Sequence, residues 1–243
     1  MEATSIILTV CIFILIYVLY YYVWSTSSML MKNVTPGTQA TTIDVSKIDT
    51  GSNVGSANFT YSLWFNINDW NYHYGEKKPL FRRLSTGVNE YCPYVYFDSY
   101  TNDLVIEVAV INPSPTTLTP PTPPTTTTTC KVQNVPIQKW VHLLISVYGK
   151  SLDTYINGKL VSTCILGGVP KLDDTKQITI CPGIGFNGWV TRFEYWADST
   201  DPQTVWNKYK DGNGTGIFSS MFGNYGLKLA LMNGSVEQNV ISI

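Results

Sequence analysis

The chain has 243 residues, of which 44% are hydrophobic, 13% aromatic and 14% charged, and its 16 basic side chains nearly balance 17 acidic ones. Without a long basic run, this charge excludes a nucleic-acid-binding protein that neutralises phosphates through a basic patch. The length predicts one sizeable domain with an appendage, and the many aromatic residues are typical of a β-sandwich or a surface-binding module.

The chain begins with a segment long enough to cross a lipid bilayer. Residues 5–24 carry no charge, and a helix of about 20 apolar residues spans the hydrocarbon core. Three tyrosines and a tryptophan crowd the end of this run, where aromatic side chains favour the membrane interface. A cleavable signal peptide is the alternative, but no basic residue precedes the run and bulky aromatic residues stand where a small-residue cleavage site belongs. We therefore predict that residues 1–25 are an uncleaved transmembrane anchor, with the lipid membrane as its partner.

Two signals disagree about which side of the membrane the rest of the chain occupies. Lys32 is the first basic residue after the span, and the positive-inside rule then places the following domain on the cytoplasmic side. Four Asn-x-Ser/Thr sequons, which begin at Asn33, Asn58, Asn213 and Asn233, instead suit a lumenal domain. The sequence leaves the topology open.

Residues 26–56 are rich in Thr, Ser, Gly and Asn, a composition that predicts a flexible tether. Alternation of apolar and polar residues over 42–48 predicts an edge strand within this tether. Residues 59–67 follow as a strand, because alternation there places four large side chains on one face. These side chains are Phe59, Tyr61, Leu63 and Phe65.

The clearest strand pattern lies between residues 140 and 164. Two apolar runs, 141–148 and 152–156, are separated by a Gly-Lys-Ser turn, and the second run meets Asn157-Gly158. An Asn-Gly pair between alternating strands predicts a two-residue hairpin, because a type I′ turn needs positive φ at both central positions. We predict three consecutive antiparallel strands, the first of them almost wholly apolar, as in a strand that is covered on both faces.

Residues 113–129 interrupt this pattern with six prolines and nine threonines. Proline lacks the N–H that a sheet needs, so we predict an extended, polyproline-II-like excursion between two strands. An O-glycosylated segment, a partner-binding arm and an ordinary exposed insertion are the three alternatives for its role.

The C-terminal part of the chain contains a predicted helix and a last hairpin. Asp201 can cap the helix, Pro202 suits its first position and Gly212 suits its end. Residues 225–243 alternate around an Asn-Gly pair and predict a hairpin that is added to a sheet edge. Many short β segments without a βαβ rhythm predict an all-β, two-sheet antiparallel sandwich.

Three stretches carry a resemblance to a known fold. The motif WxH at residues 140–142 is followed by a strand, a turn and YxNGK at residues 155–159. Residues 59–65 and 188–196 supply an early and a closing core strand. Together these stretches resemble the laminin G-like, concanavalin A-like jelly-roll superfamily over roughly residues 57–212. We predict a jelly-roll sandwich over residues 57–243, in which the C-terminal hairpin is an addition to the family pattern. The resemblance leaves function open, because this superfamily includes lectins, glycosidases, adhesion modules and viral structural proteins.

Four cysteines follow the predicted anchor, and four allow three pairings. Cys164 and Cys181 are neighbours in the sequence and are the predicted disulfide, which leaves Cys92 and Cys130. The alternative is that all four are buried free thiols. No CxxC pair or histidine cluster accompanies them, so a zinc site is not predicted.

One loop has the residue types of a sugar-binding surface. Trp70, Tyr72 and Tyr74 lie beside Asp69 and Asn71, and such a site combines aromatic rings with a few polar side chains. The alternatives are that this loop folds back onto the sandwich or that it forms a protein contact.

The resemblance also raises calcium binding and glycoside hydrolysis. The Asp and Asn residues of the loops could supply oxygen ligands for calcium, but no spacing singles out a site. The available residues are Asp69, Asn71, Asp98, Asp173 and Asp174. Glycosidases of the superfamily use carboxylates two residues apart on one strand, whereas Glu194 and Asp198 are four apart, about 13 Å in an extended chain. We therefore predict a protein without catalytic residues and without a metal or another cofactor. Calcium is the one ion that the resemblance leaves open.

The combination of a membrane anchor, a jelly roll, a Thr/Pro insert and a C-terminal hairpin resembles membrane-anchored minor capsid proteins of large DNA viruses of algae and protists. This resemblance implies a structural virion protein that links an internal membrane to a capsid shell through protein contacts. The alternative is a carbohydrate-binding lectin or adhesion module at a cell or virion surface, with glycans as partners. A glycoside hydrolase is the second alternative.

Overall fold

The computed structural model describes residues 10–17, 28–48, 57–87, 89–111, 125–214, 228–233 and 236–242. The strands are β1 (Met29–Met31), β2 (Thr35–Pro36), β3 (Thr41–Ile43), β4 (Phe59–Asp69), β5 (Lys78–Leu84), β6 (Tyr91–Phe97), β7 (Leu104–Ile111), β8 (Thr125–Val132), β9 (Val141–Tyr148), β10 (Ser151–Ile156), β11 (Lys159–Ile165), β12 (Val169–Pro170), β13 (Ile178–Ile180), β14 (Asn187–Trp196), β15 (Lys228–Asn233) and β16 (Val236–Ser242). Helix α1 is Pro202–Lys210.

The strands form two seven-stranded antiparallel sheets and a separate two-stranded sheet. Sheet A has the order β1–β14–β4–β9–β10–β11, and β2 also pairs with β14. Sheet B has the order β8–β7–β6–β5–β13–β3, and the short β12 pairs with the last residues of β7. The two inner faces pack their apolar side chains against each other in one core, which is the arrangement of a β-sandwich. The all-β, two-sheet prediction is confirmed.

Strand β4 shows how the pattern of the sequence builds this core. Phe59, Tyr61, Leu63 and Phe65 are all fully buried on its inner face, as the alternation predicts. The ring of Tyr61 lies 5.1 Å from that of Phe81 in sheet B, and the ring of Phe65 lies 5.5 Å from that of Phe97. Each such side chain contributes about 1.5–3 kcal/mol by leaving water.

Strand β9 is buried on both faces, as its apolar sequence predicts. Its inner face joins the core between the sheets. On its outer face, Leu144 packs with Tyr155 of β10 and with Val205 of α1. The helix therefore covers the part of sheet A that would otherwise leave apolar side chains in water.

The hairpin between β10 and β11 has the predicted two-residue turn. Asn157 has φ of 51° and Gly158 has φ of 76°, and Ile156 pairs directly with Lys159. The turn lies against α1, because a Cβ on Gly158 would come within 2.8 Å of the Trp206 ring. Glycine is needed here for the backbone conformation and for the close approach of the helix.

Helix α1 begins and ends where the sequence predicts. The side chain of Asp201 accepts hydrogen bonds from the backbone N–H groups of Gln203 (2.9 Å) and Thr204 (3.1 Å). Pro202 occupies the first turn, and Gly212 follows the helix with φ of 71°. This is the expected use of an acidic N-cap, an early proline and a glycine with positive φ at the end.

Residues 28–48 differ from the predicted tether. Strands β1 and β2 pair with β14, and β3 pairs with β13, so this segment contributes to both sheets. Within the edge strand predicted over 42–48, the strand ends at Ile43, and Asp44 then caps a short 3-10 turn by accepting a hydrogen bond from the backbone of Ser46. A Thr- and Ser-rich composition does not prevent pairing, because edge strands are held by backbone hydrogen bonds that every residue except proline can donate.

The Thr/Pro-rich insert is also shorter than predicted. Residues 125–129 belong to β8, which pairs with β7 along its whole length. Every proline of the insert precedes this run of threonines, and threonine is a β-branched residue that keeps its N–H and favours strands. The prediction of an excursion over 113–129 is therefore wrong for 125–129, and the proline-containing part lies outside the described residues.

The disulfide joins Cys130 to Cys164, with Cα atoms 6.0 Å apart, and the predicted pairing of Cys164 with Cys181 is wrong. Cys130 lies on β8 and Cys164 on β11, which are edge strands of the two sheets on the same side of the sandwich. Cys181 follows β13 near the other edge of sheet B. Cys92 and Cys181 are buried free thiols, and burial raises the pKa of each to about 12.

The two ends of the chain add little to the sandwich in the part that the structure describes. Strands β15 and β16 form the predicted C-terminal hairpin, but they pair only with each other among the described residues. At the other end, residues 10–17 of the predicted span are helical with exposed apolar side chains, and the rest of the span lies outside the described residues. Among the helices that are described, none has the length and apolar content needed to cross a membrane.

Candidate functional site

The loop between β4 and β5 carries the residues predicted to form a sugar-binding surface. The carboxylate of Asp69 accepts a hydrogen bond from the backbone N–H of Asn71 at 2.9 Å, and both side chains are exposed. His73 and Gly75 have positive φ of 47° and 85°. The loop is therefore a tight turn that is held by its own backbone hydrogen bonds.

Trp70 is anchored at the base of this loop. Its ring is half-buried and meets the ring of Phe97 edge-on at 6.0 Å. The ammonium group of Lys78 lies 4.5 Å from the Trp70 ring centroid and donates a hydrogen bond to the carbonyl of His73. Burial lowers the pKa of Lys78, and the aromatic ring supplies part of the stabilisation that a buried cation needs.

The three aromatic residues of the predicted cluster do not share one surface. Tyr74 pairs with Tyr100 from the β6–β7 connection, with ring centroids 5.8 Å apart, and the two residues are 61% and 65% exposed. Tyr72 instead contacts the ring of His73, and its hydroxyl donates a hydrogen bond to the carbonyl of Ile184 at 3.5 Å. Sequence reasoning missed Tyr100, because it is 30 residues from Trp70 and only the sheet topology brings the two connections together.

Trp70 and Tyr100 line a groove of about 500 Å³, which we call the loop groove. Its polar lining comes from residues 101–103 and from Gln133 and Asn134. Both of these amide side chains are exposed, and an amide offers donors and an acceptor together. Aromatic rings beside a few amide groups form a site that can stack on one face of a sugar ring and bind its hydroxyl groups.

A second surface with aromatic side chains lies on the outer face of sheet B. Tyr94 is half-buried, and its ring lies 5.1 Å from Tyr91 and 4.8 Å from Tyr96. The register places Arg82 of β5 and Glu107 of β7 on either side of Tyr94. Sequence reasoning missed this surface because strand β6 carries aromatic residues on both faces, so its pattern does not show which face is solvated.

The sequence match decides the family. Residues 39–205 match the laminin G-type profile of the concanavalin A-like lectin/glucanases superfamily, which is more than half of the chain. The chain belongs to this superfamily. No curated protein matches it in a sequence comparison.

Solved structures show the same superfamily fold at low sequence identity. One is a binding domain of botulinum neurotoxin DC in complex with rat synaptotagmin II, with 15% identity, a TM-score of 0.50 and 74% of this chain covered. Another is a binding domain of botulinum neurotoxin DC in complex with SialylT, with 16% identity, a TM-score of 0.51 and the same coverage. This chain spans 45% of the length of each of these structures.

The acidic residues beside the loop groove can be compared with the carboxyl groups that a glucanase of this superfamily needs. The carboxylates of Asp98 and Asp103 both bind the ammonium group of Lys131, at 3.3 Å and 3.0 Å. The backbone N–H of Tyr100 lowers the pKa of Asp98, and the backbone N–H of Asn134 lowers that of Asp103. Both carboxylates are therefore ionised at neutral pH, whereas a glycosidase needs one carboxyl group whose pKa is raised so that it can donate a proton.

The loop oxygens considered for calcium have partners within the fold. Asp173 accepts hydrogen bonds from the backbone and the hydroxyl of Thr175, and Asp174 lies 3.5 Å from the buried guanidinium of Arg83. Among the described residues, no three His, Cys, Asp or Glu side chains come together in a way that could hold a metal ion. The residues present do not form the multidentate oxygen cage that calcium requires.

His142 of the WxH motif is buried, as its place at the start of a core strand predicts. Its Nε2 lies 2.9 Å from the hydroxyl of Ser62, and the Trp64 ring lies 5.1 Å from the imidazole. Burial lowers the pKa of His142 to about 4, with smaller contributions from Arg192 and Lys208. A Ser–His pair at this depth, 2% and 1% exposed, cannot reach a substrate, so the pair holds the sandwich and its helix together.

Proposed function

We propose that this chain is a non-enzymatic, lectin-type binding module that holds a sugar ring in the loop groove. The observation that carries the proposal is that the exposed Tyr100, whose ring contacts that of the exposed Tyr74, lines one groove together with Trp70. Large aromatic rings that remain exposed on a folded domain leave apolar area in water, and binding a ligand removes it. The exposed amides of Gln133 and Asn134 supply the hydrogen bonds that orient a polyhydroxylated ligand.

A sugar fits this groove better than a large apolar partner does. Its lining alternates aromatic rings with amides and hydroxyl groups, and its volume of about 500 Å³ suits a ligand of one to a few rings. Asp98 and Asp103 are ionised and both bind Lys131, so neither is suited to donate a proton for hydrolysis. These two features support binding without turnover.

The disulfide indicates the kind of compartment in which the domain would carry out this function. Disulfides such as Cys130–Cys164 persist in oxidising environments and are rare in the cytosol. We infer that the domain faces a lumenal or extracellular space, on a cell or a virion, with the apolar segment 5–24 as its anchor. The exposed sequon at Asn33 agrees with this orientation, and the basic Lys32 alone argues against it.

The fold neighbours add a supporting analogy. One of them is described in complex with SialylT and another in complex with rat synaptotagmin II, so this sandwich occurs in binding domains. The capsid-linker interpretation has less support, because it depends on a tether and a Thr/Pro arm. Strands β1, β2 and β3 lie within the first of those segments, and residues 125–129 of the second belong to β8.

A glycan array followed by titration calorimetry on the full-length chain tests the proposal. We expect Trp70→Ala and Tyr100→Ala to weaken binding of the array's best ligand by about tenfold or more, about 1.4 kcal/mol. Tyr148→Ala is the matched control, because Tyr148 is 70% exposed on sheet A and does not line the groove. An equal loss in the control, or release of reducing sugar from the ligand, would overturn the proposal.

A further inference from the structure

We propose that the outer face of sheet B carries a second binding site, which takes the anionic substituent of an acidic saccharide and uses Arg82 to bind it. The ligand class rests on the proposed function, since a saccharide is expected only if the domain is a lectin. The anion site itself is argued from Arg82 and its surroundings.

Arg82 lies at the centre of a cross-strand row. It pairs with Tyr94 of β6 and with Thr179 of β13, and all three are half-buried on the outer face. Its guanidinium carbon lies 5.4 Å from the ring centroid of Tyr91, and its Nη1 lies 3.5 Å from the Tyr91 hydroxyl. The Nε atom of Arg82 is shielded from solvent and has no acceptor among the described residues. The guanidinium of Arg82 therefore keeps a donor that no protein acceptor satisfies.

The charges around Arg82 do not neutralise it. Glu107, the acid in the same row, accepts a hydrogen bond from the Tyr96 hydroxyl at 2.6 Å and lies 3.7 Å from the ammonium group of Lys77. Glu76 lies 3.8 Å from the Nδ1 atom of His73, a contact that becomes an ion pair only when the imidazole is protonated. Within the described part of the chain, no carboxylate lies within salt-bridge distance of Arg82.

A second ion pair, at the end of this face, joins two side chains whose charges neutralise each other. Glu90 is 2.8 Å from the ammonium group of Lys171. Glu107 and Glu90 are therefore each matched to a lysine, and no described carboxylate forms an ion pair with the guanidinium of Arg82.

Arg82 lines a groove of about 410 Å³, which we call the sheet groove. Pro79, Arg82 and Tyr94 line the groove together with the connections at residues 75–77 and 182–184. The adjacent residues Ser99 and Tyr100 line the sheet groove and the loop groove respectively, so the two sites are neighbours without sharing their main contacts.

The residues that line the sheet groove favour an acidic sugar as the ligand. A guanidinium binds a carboxylate or a sulfate through two parallel N–H donors, and the half-buried Tyr94 offers an aromatic face to a sugar ring. An acidic peptide strand is disfavoured because β5 and β6 are internal strands of sheet B, whose backbone groups are already paired. Peptide recognition by strand addition needs a free edge.

Three probes that share one disaccharide test this site on the full-length chain: lactose, 3′-sialyllactose and 3′-sulfolactose. We expect at least one anionic probe to bind about tenfold more tightly than lactose at about 150 mM NaCl, where the long-range attraction of surface charges is screened. The sialylated and sulfated probes distinguish a carboxylate from a sulfate as the preferred anion. Arg82→Gln should remove this advantage, and Arg82→Lys should remove most of it, because lysine keeps the charge but lacks the two-donor fork.

Two further variants separate this proposal from its alternatives. Lys159→Gln is the charge-matched control, because Lys159 is exposed on β11 of sheet A, and it should leave the anionic advantage unchanged. Tyr100→Ala should weaken the binding that the probes make in the loop groove, while the anionic probes keep their Arg82-dependent advantage over lactose. A loss of binding in Tyr100→Ala together with an unchanged anionic advantage in Arg82→Gln would support the lectin function and overturn the Arg82 site.

The wild-type chain gives an independent test if Arg82→Gln does not fold. The preferred anionic probe should protect Arg82 from modification by phenylglyoxal, measured by peptide mass spectrometry, and lactose should not. The Arg82 site is overturned if neither anionic probe binds more tightly than lactose, if the advantage falls equally in Lys159→Gln, or if Arg82 is modified at the same rate with and without the probe.

Discussion

The hydroxyl of Ser62 and the Nε2 atom of His142 lie 2.9 Å apart beneath helix α1, where both side chains are buried. Trp64 stacks on Tyr209 of α1 at 5.7 Å, and both rings lie close to the imidazole. The pKa of His142 is lowered to about 4, chiefly by this burial. The packing of the helix on sheet A therefore depends on a neutral imidazole.

The first prediction is that the domain loses stability in acid through His142. The unfolded chain binds a proton at this residue near pH 6.5, whereas the folded chain does so near pH 4. The contribution of the neutral His142 to the free energy of unfolding is therefore fully present above pH 6.5. As the pH falls towards 4, the free energy of unfolding decreases by up to about 3 kcal/mol. Urea unfolding at pH 7, 5 and 4 should show wild type losing more stability than His142→Gln. Parallel pH curves for the two proteins would contradict the assignment.

The second prediction concerns two turn glycines that have similar backbones and different surroundings. Gly149 and Gly158 have φ of 58° and 76°, but a Cβ on Gly158 would meet the Trp206 ring at 2.8 Å, whereas one on Gly149 would meet nothing within 4 Å. Gly149→Ala should cost about 1–2 kcal/mol from the left-handed backbone alone. Gly158→Ala should cost about 1–3 kcal/mol more, from overpacking against the helix. Equal melting temperatures for the two variants would show that α1 does not pack on this turn.

The third prediction is that a single disulfide staples the two sheets. A non-reducing peptide map should contain the Cys130–Cys164 link, and Cys181 should react with iodoacetamide only after denaturation, because burial raises its pKa to about 12. Reduction should lower the free energy of unfolding by about 3–4 kcal/mol, given the length of the closed loop. A Cys164–Cys181 peptide, or an unchanged stability after reduction, would refute the linkage.

The fourth prediction separates Tyr100 of the loop groove, and the Tyr74 ring that contacts it, from Tyr72. Tyr100→Ala and Tyr74→Ala should both weaken glycan binding, because each removes one member of the exposed ring pair. Tyr72→Phe should leave binding unchanged, because it removes only a long hydrogen bond to the carbonyl of Ile184. Calorimetric titration of the three variants with one ligand measures this, and a loss in Tyr72→Phe as large as in Tyr100→Ala would move the site to the other side of the loop.

Much of the fold follows from local patterns that leave one physical choice. The alternation of residue types places Phe59 and Tyr61 on one face of a strand. Because both side chains are large and apolar, that face is expected to be buried in the core. A tight two-residue hairpin turn requires positive φ at both central residues, and Asn157 and Gly158 adopt that conformation. Asp201 before a proline provides an N-cap without help from any distant residue. Such features depend on neighbours within a few positions and are readable without the tertiary structure.

The sequence by itself therefore determined the class of fold, the central hairpin, the helix and one aromatic loop that carries Trp70. The tertiary structure alone decided which distant segments meet: Cys130 with Cys164, Tyr74 with Tyr100, and Arg82 with Tyr91 and Tyr94. The physical reason is that local conformation is set by backbone and side-chain chemistry over a few residues, whereas a binding site is set by sheet order and register. These follow from packing the whole core at once, and no short stretch of the chain contains that information.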